Sequence, residues 1–565
     1  MKQLIECVPN FSEGRNMGVI KQITQEIEKS EGVKLLDVDP GFTTNRTVVT
    51  FVGTPDEVVE TAFKVIKKAQ ELIDMRQHHG DHPRFGATDV CPLVPVSNIT
   101  MEETAVYAHK LAKRVGEELN IPVYCYENAA KKPKRRNLAN CRAGEYEALK
   151  ERIGSAEWKP DFGSSVYSES VAKSGATAIG ARDFLLAVNF NLNTTSTRRA
   201  NAIAFDVREK GRPMREGNPI TGKIVKDEHG NTVNIPGTLK GTKAIGWYID
   251  EYGIAQVSMN ITNTNETPLH IAFEEVSEKA AKCGIRVTGV EIVGLVPRKT
   301  LLDAADFYLT KQERSLGVSE KEKMKIAIKS MGLDDLKPFD PQEKVIEYLI
   351  EKEDNTKKLV DITCSAFADE TASESPAPGG GSISAYMGAL GAALGTMVAN
   401  LSAHKPGWDD RWEEFSKWAE KGQKIKDELI YLVDEDTNSF NMIMSAFGLP
   451  KGTDKEKEAR AEAIQAATKY ATEVPFRTIQ RSFDVFELCA AMIEKGNPNS
   501  VSDAGVGALC ARAAVTGAYL NVKINAKDLS DKVFATEITQ TAYDFVQKAN
   551  TLEKELIKKV EDIIG

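Results

Sequence analysis

The feature of this chain that most constrains its fold is a change in hydrophobic periodicity part-way along it. Before residue 311, short apolar runs typical of strands alternate with segments whose apolar residues recur at helical spacing. Residues 311–358 are dense in charge and carry prolines at 338 and 341. Beyond them strand signals vanish and helical periodicity continues to the end. We therefore predict a multidomain protein, in which α+β structure is followed by an all-α helical domain at 341–565.

The first region repeats one order of predicted elements. Strands at 4–8, 33–39, 46–52 and 90–96, with helices at 19–28 and from Pro55, give the order β-α-β-β-α-β. The same order recurs after Gly180, with strands at 184–190, 243–249, 255–261 and 287–294 and helices near 196–209 and 268–282. We predict two βαββαβ-type α+β subdomains, at 1–180 and 181–330, with a linker at 331–340.

Composition limits the classes of partner and compartment. A net charge of −9 argues against a nucleic-acid-binding face. The eight cysteines are far apart and form no CxxC pair, which is typical of reduced thiols. Met1-Lys2 leads directly into a strand-like run, so no signal peptide is predicted. We expect a cytoplasmic protein with no nucleic-acid partner.

A polar cluster at His78 to Asp89 separates a predicted helix from a predicted strand. Three of the chain's seven histidines lie there, with two acids, an arginine, a proline and two glycines. A metal site is one interpretation, although no HExxH pattern is present. General acid–base chemistry by a histidine beside an acid is the second. A solvated polar turn is the third, and these residues alone do not decide among them.

Two features of the helical domain also suggest chemistry. A glycine-rich turn at Gly379–Gly381 precedes the uncharged run from Ile383 to Ala403. The run is rich in Gly, Ala and Ser, which favours close packing in a bundle or dimer over a membrane span. The turn could bind an anion through free backbone N–H groups, or simply start a helix. Asp434 and Asp436 do not share one helix face, so we expect only one of them to point inward.

These segments resemble a known enzyme family. Glu6 to Gly14, Asp37 to Asp39, His79 to Ala87, Gly175 to Thr177, Gly180 to Arg182 and Gly246 to Tyr248 resemble glutamate formimidoyltransferase. Pro378 to Ser382, Leu432 to Asp436 and Gly517 to Val522 resemble formimidoyltetrahydrofolate cyclodeaminase. The resemblance covers nearly the whole chain, in the domain order of the bifunctional formimidoyltransferase-cyclodeaminases.

The resemblance implies two linked reactions of histidine breakdown. The first moves a formimidoyl group from N-formimidoyl-L-glutamate to N5 of tetrahydrofolate, the co-substrate. The second closes the product to 5,10-methenyltetrahydrofolate and releases ammonia. The family's catalytic histidine and aspartate map to His82 and Asp436, and neither reaction is expected to need a metal. Homo-oligomers are expected, with no membrane partner.

The remaining site residues are expected to bind substrate. Arg84 could hold a substrate carboxylate in a two-pronged pair, and Asp39 could orient or charge-balance the imidazole. The other substrate-binding candidates are Gly175, Ala176, Thr177, Gly380 and Gly381. Folate contacts within 164–174 stay open, because that stretch departs from the family's pattern.

Three alternatives stay open in the helical domain. It could be a methenyltetrahydrofolate cyclohydrolase instead of a cyclodeaminase. It could also serve only for dimerisation, for which the small-residue helix is the argument. Within a cyclodeaminase, Asp434 rather than Asp436 could be the catalytic acid.

Overall fold

The computed structural model of the protein describes residues 3–42, 44–80, 84–217, 222–351 and 358–565. The chain forms two compact units, one of residues 1–301 with 331–353 and the other of residues 302–330 with 354–565. The first unit is mixed α/β and the second is helical, which confirms the predicted multidomain architecture. Residues 331–353 group with the mixed unit, so this division differs from the predicted linker at 331–340. The functional boundary itself stays a prediction.

The first half of the mixed unit is built on one sheet. Its elements are β1 (Leu4–Cys7), β2 (Asn10–Phe11), α1 (Met17–Glu28), β3 (Val33–Gly41), β4 (Arg46–Gly53), α2 (Pro55–Leu72), β5 (Thr88–Ser97), α3 (Met101–Leu119), β6 (Val123–Glu127), α4 (Leu138–Cys141), α5 (Leu149–Arg152), α6 (Glu169–Ser174) and β7 (Thr177–Ala181). Both β1 and β2 pair antiparallel with β4 and β5. They form one interrupted strand, because Pro9 between them has no N–H to donate.

Local sequence explains the long helices of this half. Pro55 occupies the first turn of α2, and Thr100 with Glu103 forms a full capping box at the start of α3. The apolar faces of α1, α2 and α3 share one core with the strands, formed by residues such as Ile5, Phe51, Val59, Leu93 and Leu111. The helices therefore cover one face of the sheet.

Strand β7 lies where the sequence analysis placed the subdomain boundary. It pairs parallel with both β5 and β6, so it is inserted between strands that precede it in the chain. Its sequence, TAIGA, contains mostly small residues and lacks the β-branched and aromatic run that marks the other strands. This composition explains why no strand was predicted at these positions.

The second half of the mixed unit carries a separate sheet. Its elements are β8 (Leu186–Leu192), α7 (Thr197–Val207), β9 (Arg212–Pro213), β10 (Asn234–Ile235), β11 (Thr242–Ile249), β12 (Ile254–Ile261), α8 (Leu269–Lys282) and β13 (Val287–Val293). The strand order is β11-β12-β8-β13, with every pair antiparallel. Helix α9 (Arg298–Lys311), α10 (Glu320–Met331), α11 (Pro341–Lys344) and α12 (Ile346–Glu351) follow.

The helical unit is a bundle around one small-residue helix. Besides most of α9 and α10, its helices are α13 (Cys364–Thr371), α14 (Gly380–Ala403), α15 (Trp412–Phe447), α16 (Asp454–Lys495), α17 (Val501–Ala526) and α18 (Lys532–Ile564). Glycines on α14 allow close packing: a Cβ on Gly388, Gly391 or Gly395 would lie closer than 3.0 Å to a neighbouring helix. Helix α14 is long and apolar enough to cross a membrane by length and composition alone. Its most apolar window is 61% buried, as expected of a core helix.

Candidate active sites

The loop that follows α2 is anchored by Asn45. The ring Nε2 of His78 lies 2.8 Å from the carbonyl oxygen of Asn45, and the Asn45 amide donates to the His79 carbonyl at 2.9 Å. Gly14 N–H in turn donates to Asn45 Oδ1 at 3.0 Å. Burial lowers the pKa of His78, so its imidazole is neutral near pH 7. His78 therefore helps to hold the loop, and it lies just before the segment at 81–83.

The predicted catalytic His82 lies outside the described residues, as do its neighbours Asp81 and Pro83. The two ends of that segment are described. On its C-terminal side the chain contacts the second half of the predicted site. Ala176 N–H donates to the Phe85 carbonyl at 3.0 Å, and Ala87 N–H donates to the Ser174 carbonyl at 2.7 Å. The structure thus brings the predicted 175–177 segment to the loop, although the two are distant in sequence.

Gly175 is required at this junction by its backbone. Its φ is +68°, and a Cβ would lie closer than 3.0 Å to Gly86 and to the Phe85 carbonyl. Thr177 continues into β7, where its N–H donates to the Pro122 carbonyl at 2.9 Å. The roles of Gly175, Ala176 and Thr177 in the described structure are therefore those of backbone contacts.

Arg84 is engaged by protein carboxylates. Its Nη1 lies 3.2 Å from Glu145 and 3.0 Å from Glu147, and a further bond joins Nη2 to Glu147. Only 12% of the Arg84 side chain is exposed. Asp39 is exposed on β3, where it faces Val48 across the strand pair. The described contacts do not join Asp39 to Arg84.

A buried charged cluster beside the loop was missed in the sequence. Asp89 is 0% exposed and lies between two arginines, 3.3 Å from Arg46 Nη1 and 2.7 Å from Arg142 Nη1. Arg46 Nε also donates to Asn10 Oδ1 at 3.0 Å. Asn10 lies in the Glu6–Gly14 motif and Asp89 at the end of the His78–Asp89 cluster, so both could have been named from the sequence. Arg46 and Arg142 carried none, because only the fold brings them together.

The second site is at the N-terminus of α14. Asp436 Oδ2 on α15 accepts hydrogen bonds from Ser382 N–H at 2.8 Å and Ser382 Oγ at 3.1 Å. A Cβ on Gly381 would lie closer than 3.0 Å to the Asp436 carboxyl group. Burial raises the pKa of Asp436, and the two bonds from Ser382 oppose that rise. A carboxyl group whose pKa is raised by burial is better suited to give and take a proton near neutral pH than an exposed one.

Asp434 serves a different element. Its Oδ1 accepts the Leu359 N–H at 2.6 Å, which holds the turn at Leu359–Asp361 against α15. Burial raises the pKa of Asp434 as well, opposed by bonds from the Leu359 and Val360 backbone. The two acids thus contact different parts of the unit, and the one beside the glycine-rich turn is Asp436.

Within the described ranges, no group of three or more His, Cys, Asp or Glu side chains is placed to hold an ion. The His78 imidazole and the Asp434 and Asp436 carboxyl groups instead have hydrogen bonds to groups of the protein.

The chain matches three family descriptions in succession. They are "Formiminotransferase domain, N-terminal subdomain" at 4–182, "Formiminotransferase domain" at 187–351 and "Formiminotransferase-cyclodeaminase" at 363–544. The formimidoyltransferase-cyclodeaminase of Gallus gallus is 43% identical over 97% of this chain and 97% of that protein.

The chain belongs to the formimidoyltransferase-cyclodeaminase family.

Shorter proteins are also similar to each half of this chain. The glutamate formimidoyltransferase of Thermoplasma acidophilum is 44% identical over 54% of this chain and 92% of that protein. The methenyltetrahydrofolate cyclohydrolase of Methylorubrum extorquens is 39% identical over 36% of this chain and 98% of that protein. The His78–Asp89 loop falls in the formiminotransferase match, and Asp436 falls in the formiminotransferase-cyclodeaminase match.

Proposed function

We infer that the chain is a bifunctional glutamate formimidoyltransferase and formimidoyltetrahydrofolate cyclodeaminase. It transfers the formimidoyl group from N-formimidoyl-L-glutamate to N5 of tetrahydrofolate, and then cyclises 5-formimidoyltetrahydrofolate to 5,10-methenyltetrahydrofolate with release of ammonia. The observation that carries this conclusion is 43% identity with a bifunctional relative across 97% of both chains. In histidine degradation these steps dispose of the formimidoyl carbon and nitrogen.

We propose that His82 is the acid–base residue of the transferase. N5 attacks the amidine carbon, and the tetrahedral intermediate must expel the glutamate nitrogen, which requires that nitrogen to gain a proton. One imidazole can take a proton from N5 and return it to the leaving nitrogen near pH 7. Asn45 holds His78 and His79 before this segment, and Phe85 and Ala87 after it bond to residues 174–176, so both flanks of His82 are tied to the predicted site.

The binding roles of the other transferase residues are part of this proposal. Asp39 orients or charge-balances the imidazole, and Gly175 to Thr177 shape the folate side of the site. Arg84 binds a substrate carboxylate, for which that carboxylate must replace Glu145 or Glu147 on the guanidinium. Such an exchange replaces one charge-assisted pair by another, so it contributes less binding free energy than pairing with a free arginine would, but it leaves no charge unpaired.

In the helical unit we propose Asp436 as the catalytic acid, with Gly380 and Gly381 in the substrate site. N10 attacks the formimidoyl carbon, the proton of N10 passes to the former imine nitrogen, and that nitrogen leaves as ammonia. The methenyl product keeps the positive charge that the amidinium brought, so the step is balanced. A carboxyl group of raised pKa suits a proton that must be taken and returned.

Several finer features are proposed with the activity. The strand orders of the two sheets support βαββαβ-type subdomains in the transferase unit, because β8, β11, β12 and β13 order as 2-3-1-4. Tetrahydrofolate is the co-substrate, and neither reaction is expected to use a metal. A homo-oligomer in the cytoplasm, without a membrane or nucleic-acid partner, remains the expected setting.

The experiment follows both products from one enzyme. The purified full-length chain is mixed with N-formimidoyl-L-glutamate and tetrahydrofolate, and ammonia and the absorbance of methenyltetrahydrofolate are measured together. Equal molar release of both is expected. Transfer without ammonia would contradict the cyclodeaminase, and no transfer would contradict the whole proposal.

The cyclohydrolase relative supports a second candidate for the helical unit. In that case the full-length chain would hydrolyse supplied 5,10-methenyltetrahydrofolate but release no ammonia from supplied 5-formimidoyltetrahydrofolate. A helical unit that only dimerises would do neither. These two assays therefore separate the three interpretations of the unit.

A further inference from the structure

The start of α14 is enclosed on two sides by polar side chains. Asp436 of α15 lies against Gly381, as described above, and Asn521 of α17 lies against Gly380. A Cβ on Gly380 would lie 3.2 Å from Asn521 Nδ2 and 3.7 Å from its Oδ1. Gly380 is exposed and Gly381 is buried, and neither carries a side chain. We call the space over these two glycines, between the Asp436 carboxyl group and the Asn521 carboxamide, the gap.

The orientation of the Asn521 side chain is set by its own helix. Its Nδ2 donates to the Gly517 carbonyl at 3.0 Å. Gly517 itself packs against Ser384, whose Oγ donates to the Gly380 carbonyl at 2.6 Å. This contact fixes α17 against α14. Among the described residues, Asn521 Oδ1 accepts no hydrogen bond, so it is an acceptor beside the exposed glycine.

We propose that Asn521 Oδ1 binds the formimidoyl nitrogen that leaves as ammonia. This inference rests on the proposed cyclodeaminase activity and adds a substrate-binding residue to it. The formimidoyl group is a planar amidinium near pH 7, and its terminal nitrogen carries two N–H donors. Asp436 accepts from one side of the gap and Asn521 from the other, which holds that nitrogen over Gly380 and Gly381.

A carboxamide suits this position better than a second acid would. The reaction needs Asp436 to take the proton from N10 and return it to the leaving nitrogen. Another carboxylate across the gap would raise the pKa of Asp436 further, because like charges disfavour ionisation. It would also hold ammonium strongly after the carbon–nitrogen bond has broken. A neutral oxygen aligns the leaving group and releases neutral ammonia.

The test uses full-length variants with a matched control on the same helix. Asn521→Ala removes donor and acceptor, whereas Asn521→Asp keeps an acceptor and loses the donor to Gly517. The control is Asn525→Ala, one turn later, where the side chain donates to the Ala471 carbonyl at 2.7 Å. Ammonia release from supplied 5-formimidoyltetrahydrofolate is measured for each, with formimidoyl transfer in the same preparation as the measure of intact protein.

Asn521→Ala is expected to lower kcat for ammonia release by roughly 10- to 100-fold, the usual loss for a hydrogen bond to a charged group. Asn521→Asp keeps the acceptor but adds the second carboxylate, so it should be slower than wild type and faster than Asn521→Ala. Asn525→Ala should melt at a lower temperature but keep its kcat. An Asn521→Ala enzyme as fast as wild type would overturn the assignment. So would an Asn521→Asp enzyme as slow as Asn521→Ala, because the donor to Gly517 would then be what matters. If wild type itself releases no ammonia, the proposed activity fails instead.

Discussion

Asp434 and Asp436 are two residues apart, yet their carboxyl groups accept hydrogen bonds from different segments of the chain. Asp434 accepts from Leu359 and holds a turn, whereas Asp436 accepts from Ser382 beside the glycine-rich start of α14. Residues i and i+2 of an α-helix are about 200° apart around its axis, so these two side chains point towards different neighbours and do not line one site. This contrast is the basis for distinguishing the two by mutation.

Asp436→Asn should stall the second reaction alone. The amide has the size of the acid but cannot exchange a proton, so ammonia release should fall by roughly 10²–10⁴-fold. Formimidoyl transfer should continue, and 5-formimidoyltetrahydrofolate should build up in solution. Asp434→Asn keeps an acceptor for Leu359 and should be the milder variant. Both are assayed for methenyl product, with circular dichroism as the control for folding. A severe Asp434→Asn beside a mild Asp436→Asn would reverse the assignment.

Glu6 makes the transferase unit sensitive to pH. It is 3% exposed on β1, and burial raises its pKa from 4.5 to about 7, partly opposed by Arg182. Between these values the folded state holds a proton that the unfolded chain has lost. The free energy of unfolding therefore falls as pH rises through this window.

Glu6→Gln should remove that dependence. At pH 4.5 and below, variant and wild type should have similar stability. At pH 8 the variant should be more stable by on the order of 3 kcal/mol, because each pKa unit is worth about 1.4 kcal/mol. Urea unfolding at the two pH values measures the difference. Exposed Glu28→Gln is the control for the loss of one charge. A variant that is less stable than wild type at pH 8 would contradict the prediction, because the charge of the ionised Glu6 would then be stabilised by its surroundings.

At the scale of elements, the sequence predicts those strands and helices whose apolar residues repeat at a regular spacing. The strands β3, β4 and β12 and the helices α2 and α8 begin within two residues of prediction, because their apolar spacing and caps are local. The capping box of Thr100 and Glu103 is equally local, since both residues lie at the first turn of α3. Strand β7 was missed because its small residues carry no strand signal. The Arg46–Asp89–Arg142 cluster was missed because it depends on the pairing of distant elements.

The start of α14 can be tested with two glycines. Gly381→Ala places a methyl group closer than 3.0 Å to the Asp436 carboxyl group. The acid or the helix must move, and overpacking typically costs about 1–3 kcal/mol. If that cost falls on the transition state, ammonia release should drop by roughly 5- to 150-fold while transfer is retained. Gly379→Ala is the matched control, since its φ is −96° and its nearest neighbour, the Pro376 carbonyl, is 3.8 Å away. If both variants release ammonia equally, Asp436 does not depend on this close approach.

At the scale of the whole chain, residues 331–353, which follow α10, return to complete the transferase unit. Val296 and Val345 form a β-bridge, and Val345 and Ile346 are both 0% exposed. Asp335 accepts from Thr288 at 2.7 Å and from Asn191 at 3.2 Å. The first unit therefore includes residues 331–353, which a fragment that ends at residue 330 would lack.

A fragment of residues 1–353 should consequently be a better transferase domain than a fragment of residues 1–330. The shorter one exposes the partners of Val345 and Ile346, and each such side chain contributes about 1.5–3 kcal/mol when buried. It also leaves Asn191 and Thr288 without Asp335. We expect the 1–330 fragment to be less stable in urea by at least about 3 kcal/mol, and to transfer the formimidoyl group more slowly or aggregate. The 1–353 fragment should unfold cooperatively, transfer the group and release no ammonia. Ile346→Ala in the longer fragment should be intermediate, since such a truncation costs about 2–5 kcal/mol. Equal stability of the two fragments would show that residues 331–353 contribute nothing to the fold of this unit.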